Sequence, residues 1–196
     1  MVKASSEIRN AAPDELPRVL STLVAAFLTD PLARFSHLHP HDLFSGLAPI
    51  FREFGGRSFE HGTAYVSDDL CAAALWLPPG VHPDEEALDA ALRDGTEPDH
   101  LDDLLSVFEK MEQAHPEEPF WHLTVIGVDP NAQGRGLGGA LMRHAVARCD
   151  QDGALAYLES SNLRNMSLYE RHGFESIGEV QVGTSPIVTP MLRHPR

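Results

Sequence analysis

Apolar positions along the chain follow two rhythms. In "PDELPRVLSTLVAAFL" (13–28), Leu16, Val19, Leu20, Leu23, Val24 and Phe27 recur at the spacing of one helix face, with Asp14 and Glu15 in its first turn. "DLFSGLAPIFREFGG" predicts a second helix ending at a glycine pair, and "TDPLARFSHLHPH" before it a loop or broken helix. The other rhythm has period two. "SEIRNAA" alternates weakly and reads as a first strand, and "HGTAYVSDDLCAAALWLPPG" as two strands joined by a tight Ser-Asp-Asp turn and stopped by Pro78 and Pro79. Residues 81–118 are acidic and polar, with helical material centred on the amphipathic "HLDDLLSVFEKMEQAH". Then come the strand "FWHLTVIGV", the helix "LGGALMRHAVARC", the strand "ALAYLES" and a short helix in "NMSLYERHGF" capped by Gly173. In the longer of these helices Leu137, Leu141, Ala145 and Cys149 share a face. "SIGEVQVG" and "SPIVTPMLR" are expected to close the chain as strands. The order β-α-α-β-β-α-β-α-β-α-β-β predicts a mixed α/β fold, α+β in its mixed sheet, with residues 1–196 as a single domain.

Between a strand and a helix lies "VDPNAQGRGLGGAL" (128–141). A glycine-rich turn into a helix presents unpaired backbone N–H groups and the positive end of a dipole, and lets a phosphate approach closely. A plain tight turn is the other reading. Gly134, Gly136 and Gly139 fit the dinucleotide pattern G-x-G-x-x-G, and Glu159 stands near the offset of its ribose-binding acid. The mechanics disagree. In that fold the strand runs straight into the first glycine, whereas here "DPNAQ" intervenes and Pro130 turns the chain. The chain also ends 37 residues after Glu159, too soon for a second nucleotide-binding half.

Composition narrows the partners. The chain has 15 basic and 29 acidic residues, a formal charge of −14, which argues against nucleic acid and is compatible with a cationic substrate. Cys71 and Cys149 lie in apolar settings without zinc spacing and read as buried, reduced thiols. There is no apolar signal core at the N-terminus and no run of membrane-spanning length, so a cytoplasmic location is expected. "HLHPH" alternates His37, His39 and His41, but Pro40 breaks the geometry and nothing completes a cage, so no metal is expected. Trp76 and Trp121 read as core or pocket wall, with stacking on an aromatic acceptor as the alternative.

"GVDPNAQGRGLGGALM" resembles motif A of the GNAT N-acetyltransferase superfamily, and "LESSNLRNMSLYERHGF" the motif B that follows it. The segment Ala25 to Pro31, the strand ending "ALWLPPG" and a closing "PMLR" extend the likeness. Within the superfamily the chain is most similar to the puromycin N-acetyltransferase-like members, most firmly over 117–175. The resemblance implies a mixed sheet that splays between "FWHLTVIGV" and "ALAYLES", with acetyl-CoA in the splay and coenzyme A as product. It implies that the backbone at Ile126, Gly127 and Val128 meets the pantetheine arm by strand addition. In the family's loop pattern Q/R-x-x-G-x-G/A, Gln133, Gly136 and Gly138 match, so the amides of Gln133, Gly134, Arg135, Gly136, Leu137 and Gly138 would hold the pyrophosphate. Asn162, or Asn165 as in the puromycin-type subgroup, would reach the cofactor, and Tyr169 would face the sulfur and protonate it.

Acetyl transfer to an amine needs a neutral amine, a donor for the developing oxyanion and a proton for the leaving thiolate. Candidate bases are Glu159, at the end of its strand, and His122, on the same face as Phe120 and Thr124 by alternation. A structural carboxylate and a satisfied buried histidine are the bland readings of the two. Asp30 reads as an acceptor-pocket residue or an N-cap. The expected function is transfer of acetyl from acetyl-CoA to a small-molecule amine, by a monomer or homodimer. The alternatives are a protein or peptide N-acetyltransferase of the same fold and a non-catalytic acyl-CoA-binding module.

Overall fold

The structure, a computed structural model, describes residues 7–196, so Ser6 of the first expected strand lies outside it. Strand β1 (Ile8–Asn10) leads through a short 3-10 turn into α1 (Leu16–Ala26). The broken-helix segment resolves into α2 (Pro31–Ser36), N-capped by Asp30, whose carboxylate accepts from the amides of Leu32 and Ala33 at 3.0 and 3.2 Å. Helix α3 (Pro40–Gly55) precedes β2 (Ala64–Ser67) and β3 (Ala72–Leu77). The acidic segment forms two helices, α4 (Glu85–Gly95) and α5 (Pro98–Gln113). Then follow β4 (Phe120–Val128), α6 (Leu137–Asp152), β5 (Leu155–Ser160), α7 (Met166–Glu170), β6 (Glu175–Ser176) and β7 (Thr189–Arg193). "SIGEVQVG" is not the strand expected. Its pairing is limited to the end of β6 and one bridge, Val180 to Val188, and residues 175–179 are exposed. Only Val180 and, in part, Val182 reach a core, the small one with Val107, Met111 and Val188, so little beyond the bridge holds the segment in register.

The sheet runs β1-β2-β3-β4-β5-β7-β6, antiparallel throughout except for the β4–β5 pair that α6 connects. Period two decides which face each side chain covers. On β3, Ala73 and Leu75 join the core under α1 and α3, while Ala72, Ala74 and Trp76 join the core under α6. Leu137, Leu141, Ala145 and Cys149 are buried in that second core, as is Trp121. Cys149 is fully buried, and burial pushes its thiol up to about 12; Cys71 is only half-buried, contrary to expectation. Among the described residues no helix is long and apolar enough to cross a membrane.

Strand β4 breaks the alternation. Trp121 and Leu123 pack under α6, but Val125 packs under α1 and α3. The register against β3 slips at this step: Leu75 faces Val125 and Trp76 faces Leu123, leaving Thr124 as the extra residue of a β-bulge. Its hydroxyl donates to Leu75 O at 3.1 Å, and a side chain at Gly55 would collide with it.

The C-terminal strand is tied down by a buried cation. Arg193, 3% exposed, makes two 2.8 Å bonds to the Asp150 carboxylate at the end of α6 and donates to His172 O. These hydrogen bonds from Arg193, together with the amide of Arg196, hold the Asp150 carboxyl below its usual value against the opposing effect of burial. A depressed carboxyl contributes stability that is present above its unfolded value of 3.8 and is lost as pH falls through the folded value. Asp150→Asn is therefore predicted to cost about 3 kcal/mol at neutral pH, because it strands a buried guanidinium. In urea unfolding that deficit should shrink below pH 3.8; equal stability at neutral pH would contradict the assignment.

Candidate active site

Strands β4 and β5 pair through Phe120–Leu155, Trp121–Ala156, His122–Tyr157 and Leu123–Leu158, and then stop. From Thr124 onward β4 pairs with β3 alone, so the edge that would face β5 carries free backbone groups. The bulge and the parting fall at the same residue. Beyond them, Pro130–Ala132 forms a 3-10 turn before the glycines. This turn is the physical counterpart of the five residues that set the loop apart from a dinucleotide site.

Gly134 and Gly136 both take left-handed φ values, +76° and +83°, that an L side chain rarely adopts. Gly136 is the N-cap of α6 and offers no side chain to the first-turn amides, which leaves the anion-attracting end of the helix open. Gly138 lies in that first turn. Gln133 and Gly138 also line the cavity beside the loop, whereas Gly139 does not, which favours the spacing carried by Gln133, Gly136 and Gly138.

Three cavities run end to end through the parting. One of about 310 Å³ lies beside the loop, between Ile126, Gly127, Val128, Gln133, Gly138, Asn162, Asn165 and Tyr169. A narrow one of about 90 Å³ shares Ile126, Asn165 and Tyr169 with it and continues past Thr124 and Leu158 to Glu159. A third, of about 270 Å³, shares Phe54, Phe108, Met111 and Glu159 with the second and reaches His115 and His122. Its outer wall carries Glu85, Asp89, Glu109 and Glu112, and neither lysine nor arginine lines it.

Most of the expected site residues thus meet along one passage. Arg135 is exposed and donates to Asn131 O. Gly134, Arg135, Gly136 and Leu137 line none of these cavities, and the Leu137 side chain is in the core, so Leu137 and the two glycines offer a ligand only their backbone. Asn162 caps the turn that follows β5 by accepting from the Arg164 amide. Asp30 borders the loop-side cavity instead of the 270 Å³ one, and takes a 2.8 Å bond from the Ser161 hydroxyl in addition to its capping bonds. The "HLHPH" histidines are dispersed: His37 is buried against Ser36, while His39 and His41 stack on the surface.

At the far end Glu159 has a side chain only 3% exposed, set between two imidazoles. His122 Nε2 lies 2.8 Å from its Oε2 and His115 Nε2 3.2 Å from its Oε1. Burial acts to raise this carboxyl, but the charge and hydrogen bonds of His122 and His115 outweigh it and hold it below the usual carboxylate range. An ionised carboxylate only accepts, so both imidazoles present Nε2–H. His115 was missed in the sequence because it stands just past the end of α5, far from the motifs. Its one signal was a histidine closing an amphipathic helix that reaches toward the strand of His122. Tyr169, buried at the junction of the two other cavities, has its phenol pushed up by burial and by the charge of Asp30, so it stays protonated.

Residues 99–174 match the Acetyltransferase (GNAT) family. An uncharacterized N-acetyltransferase of Schizosaccharomyces pombe is 26% identical over 173 residues, covering 80% of this chain and 69% of that one. A mycothiol acetyltransferase of Mycolicibacterium gilvum is 40% identical over 68 residues, which span 31% of this chain and only 22% of that protein. The structure of a Drosophila melanogaster polyamine N-acetyltransferase superposes with a TM-score of 0.64 at 20% identity, covering 96% of this chain and 99% of that one, and shares its fold. The matched segment carries the glycine loop and the two parted strands, and the mixed sheet around them is the fold shared with that neighbour.

The Glu159 carboxylate is the shared acceptor of two donors, the buried His122 and the half-buried His115. Glu159→Leu, which removes it and blocks water from its place, is predicted to cost about 1–3 kcal/mol per stranded N–H group. Chemical denaturation checks this, and unchanged stability would show that the trio is not coupled in the folded protein.

Proposed function

We propose that the protein transfers acetyl from acetyl-CoA to the amine of a small molecule by direct attack in a ternary complex, and that residues 1–196 act as a single GNAT domain. The observation that carries this reading is the row of three cavities at the parted strands, each sharing wall residues with the next. One end lies under the glycine loop and the other at His122 and Glu159, with Tyr169 between. Two substrates entering from opposite ends would meet at the gap without a covalent enzyme intermediate.

In this reading the pantetheine arm of acetyl-CoA adds to the free edge of β4 at Ile126, Gly127 and Val128. The amides from Gln133 to Gly138 take the pyrophosphate, with Arg135 beside them in solvent and Leu137 contributing backbone only. Asn162 and Asn165 border the arm. The free N–H groups on β4 also supply a donor for the oxyanion. Because Glu159 is held ionised, it is a weak proton acceptor. His122 is then the base, and Glu159 orients its ring and stabilises the imidazolium that forms. While Nε2–H is given to Glu159, the lone pair through which His122 accepts the proton is on Nδ1. Tyr169, kept as a neutral phenol, donates to the departing sulfur. Proximity supplies much of the remaining rate.

The acceptor end supports a compact, cationic amine. Its volume of about 270 Å³ lies below the ~300–1,000 Å³ of drug-sized sites. Its walls are aromatic near the base and acidic outside, which favours an ammonium group. The fold neighbour that forms N-acetylagmatine works on an acceptor of that kind. The finer likeness to puromycin N-acetyltransferases covers 117–175, whereas most of this wall comes from residues 82–112, so the subgroup does not carry its acceptor with it.

A thiol-release assay with acetyl-CoA tests the proposal across monoamines, diamines, agmatine, an aminonucleoside and peptides. Turnover is expected on compact cationic amines; release with none of them, or with peptides alone, would overturn it. Tyr169→Phe is predicted to keep acetyl-CoA affinity and to lower turnover at least tenfold. Unchanged turnover would remove Tyr169 from the chemistry.

A further inference from the structure

The trio at the acceptor end has a second chemistry. Two imidazole nitrogens and a carboxylate oxygen, from His115 after α5, His122 on β4 and Glu159 on β5, lie within 4.8 Å of one another. The close contacts are 2.8 and 3.2 Å. Ligand atoms around a tetrahedral zinc stand about 3.3 Å apart when each bond is about 2.0–2.1 Å, so small rotations would admit an ion. Two nitrogens and one oxygen also suit zinc, which keeps a fourth position for water or substrate in open sites. That position would face the 270 Å³ cavity, whose Glu85, Asp89, Glu109 and Glu112 concentrate cations with neither lysine nor arginine in the wall.

We propose that His115, His122 and Glu159 bind one Zn²⁺ ion from solution and that the bound ion competes with the acceptor amine, the competition resting on the acetyltransferase reading above. Binding replaces two hydrogen bonds by coordination. Each imidazole gives the Nε2 lone pair to the metal and carries its one remaining proton on Nδ1, any second ring proton passing to solvent, and no electron is transferred. Zn²⁺ then occupies the place where the ammonium group would dock, and His122 is no longer hydrogen-bonded to Glu159 as the reaction requires. The site would therefore be inhibitory.

Calorimetric titration of the metal-free protein with Zn²⁺, without acetyl-CoA or amine, tests the site independently of any activity. One ion per chain is expected, with affinity at least tenfold weaker in His115→Ala and in Glu159→Gln, both checked for folding by their melting temperatures in chelator. The surface pair His39 and His41, whose rings stack 5.7 Å apart, is the obvious competing site. The double variant His39→Ala/His41→Ala should bind as the parent does. Diffraction at the zinc edge should locate the ion between the three side chains. Absence of binding, or affinity lost with His39 and His41 but retained without His115, would overturn the site. With binding established, Zn²⁺ should raise KM for the amine and leave kcat unchanged; a fall in kcat alone would reject the competition while leaving the site intact.

Discussion

The separation of β4 from β5 after the Leu123–Leu158 pair is the constraint on which the site depends. Two parallel strands joined through a helix ordinarily continue their ladder, since each unpaired backbone group away from water costs free energy. Here the ladder ends after four pairs, and β4 bulges at the next residue. The bulge turns Val125 toward α1 and α3 and seats Thr124 against Gly55. The face of β4 that would serve an uninterrupted sheet is redirected, and its free edge is left for another partner. The cavities occupy the opening so made.

The two ends of that opening are electrically different. Under the loop, open α6 amides and two left-handed glycines offer a positive, side-chain-free surface. At the other end a buried carboxylate between two histidines is continuous with an acidic wall. An anion and a cation are therefore drawn to opposite mouths, which meets the requirement of a transferase that must bring a phosphate-bearing donor and an amine together. Tyr169 sits at the narrow junction, where burial and Asp30 keep its proton in place.

Much of this was legible in the sequence. The period-two runs located β3, β4 and β5, and the three-and-four spacing located α1, α3, α5 and α6, because each covers a continuous core. The glycine loop was legible because its spacing reflects backbone conformation directly. The bulge at Thr124 was not: a single extra residue changes no composition, and alternation read through it carries the wrong face to Val125. His115 was invisible for a different reason. Its partner Glu159 lies 44 positions away, and nothing local marks a histidine as the second arm of a buried carboxylate. Near the C-terminus, "SIGEVQVG" alternates convincingly but buries only Val180 and part of Val182, so pattern alone over-predicted a strand. Trp76 and Trp121 settled as core, as their apolar neighbours suggested.

The central claim is that the free edge of β4 is held open for the donor's arm while the α6 amides hold its phosphates. Amide hydrogen exchange with and without acetyl-CoA tests it most directly. The account predicts slower exchange in two segments, residues 124–128 of β4 and residues 133–139 at the start of α6, with α4 and the outer part of α5 unaffected. Protection confined to the acidic helices, or no change along β4, would contradict it.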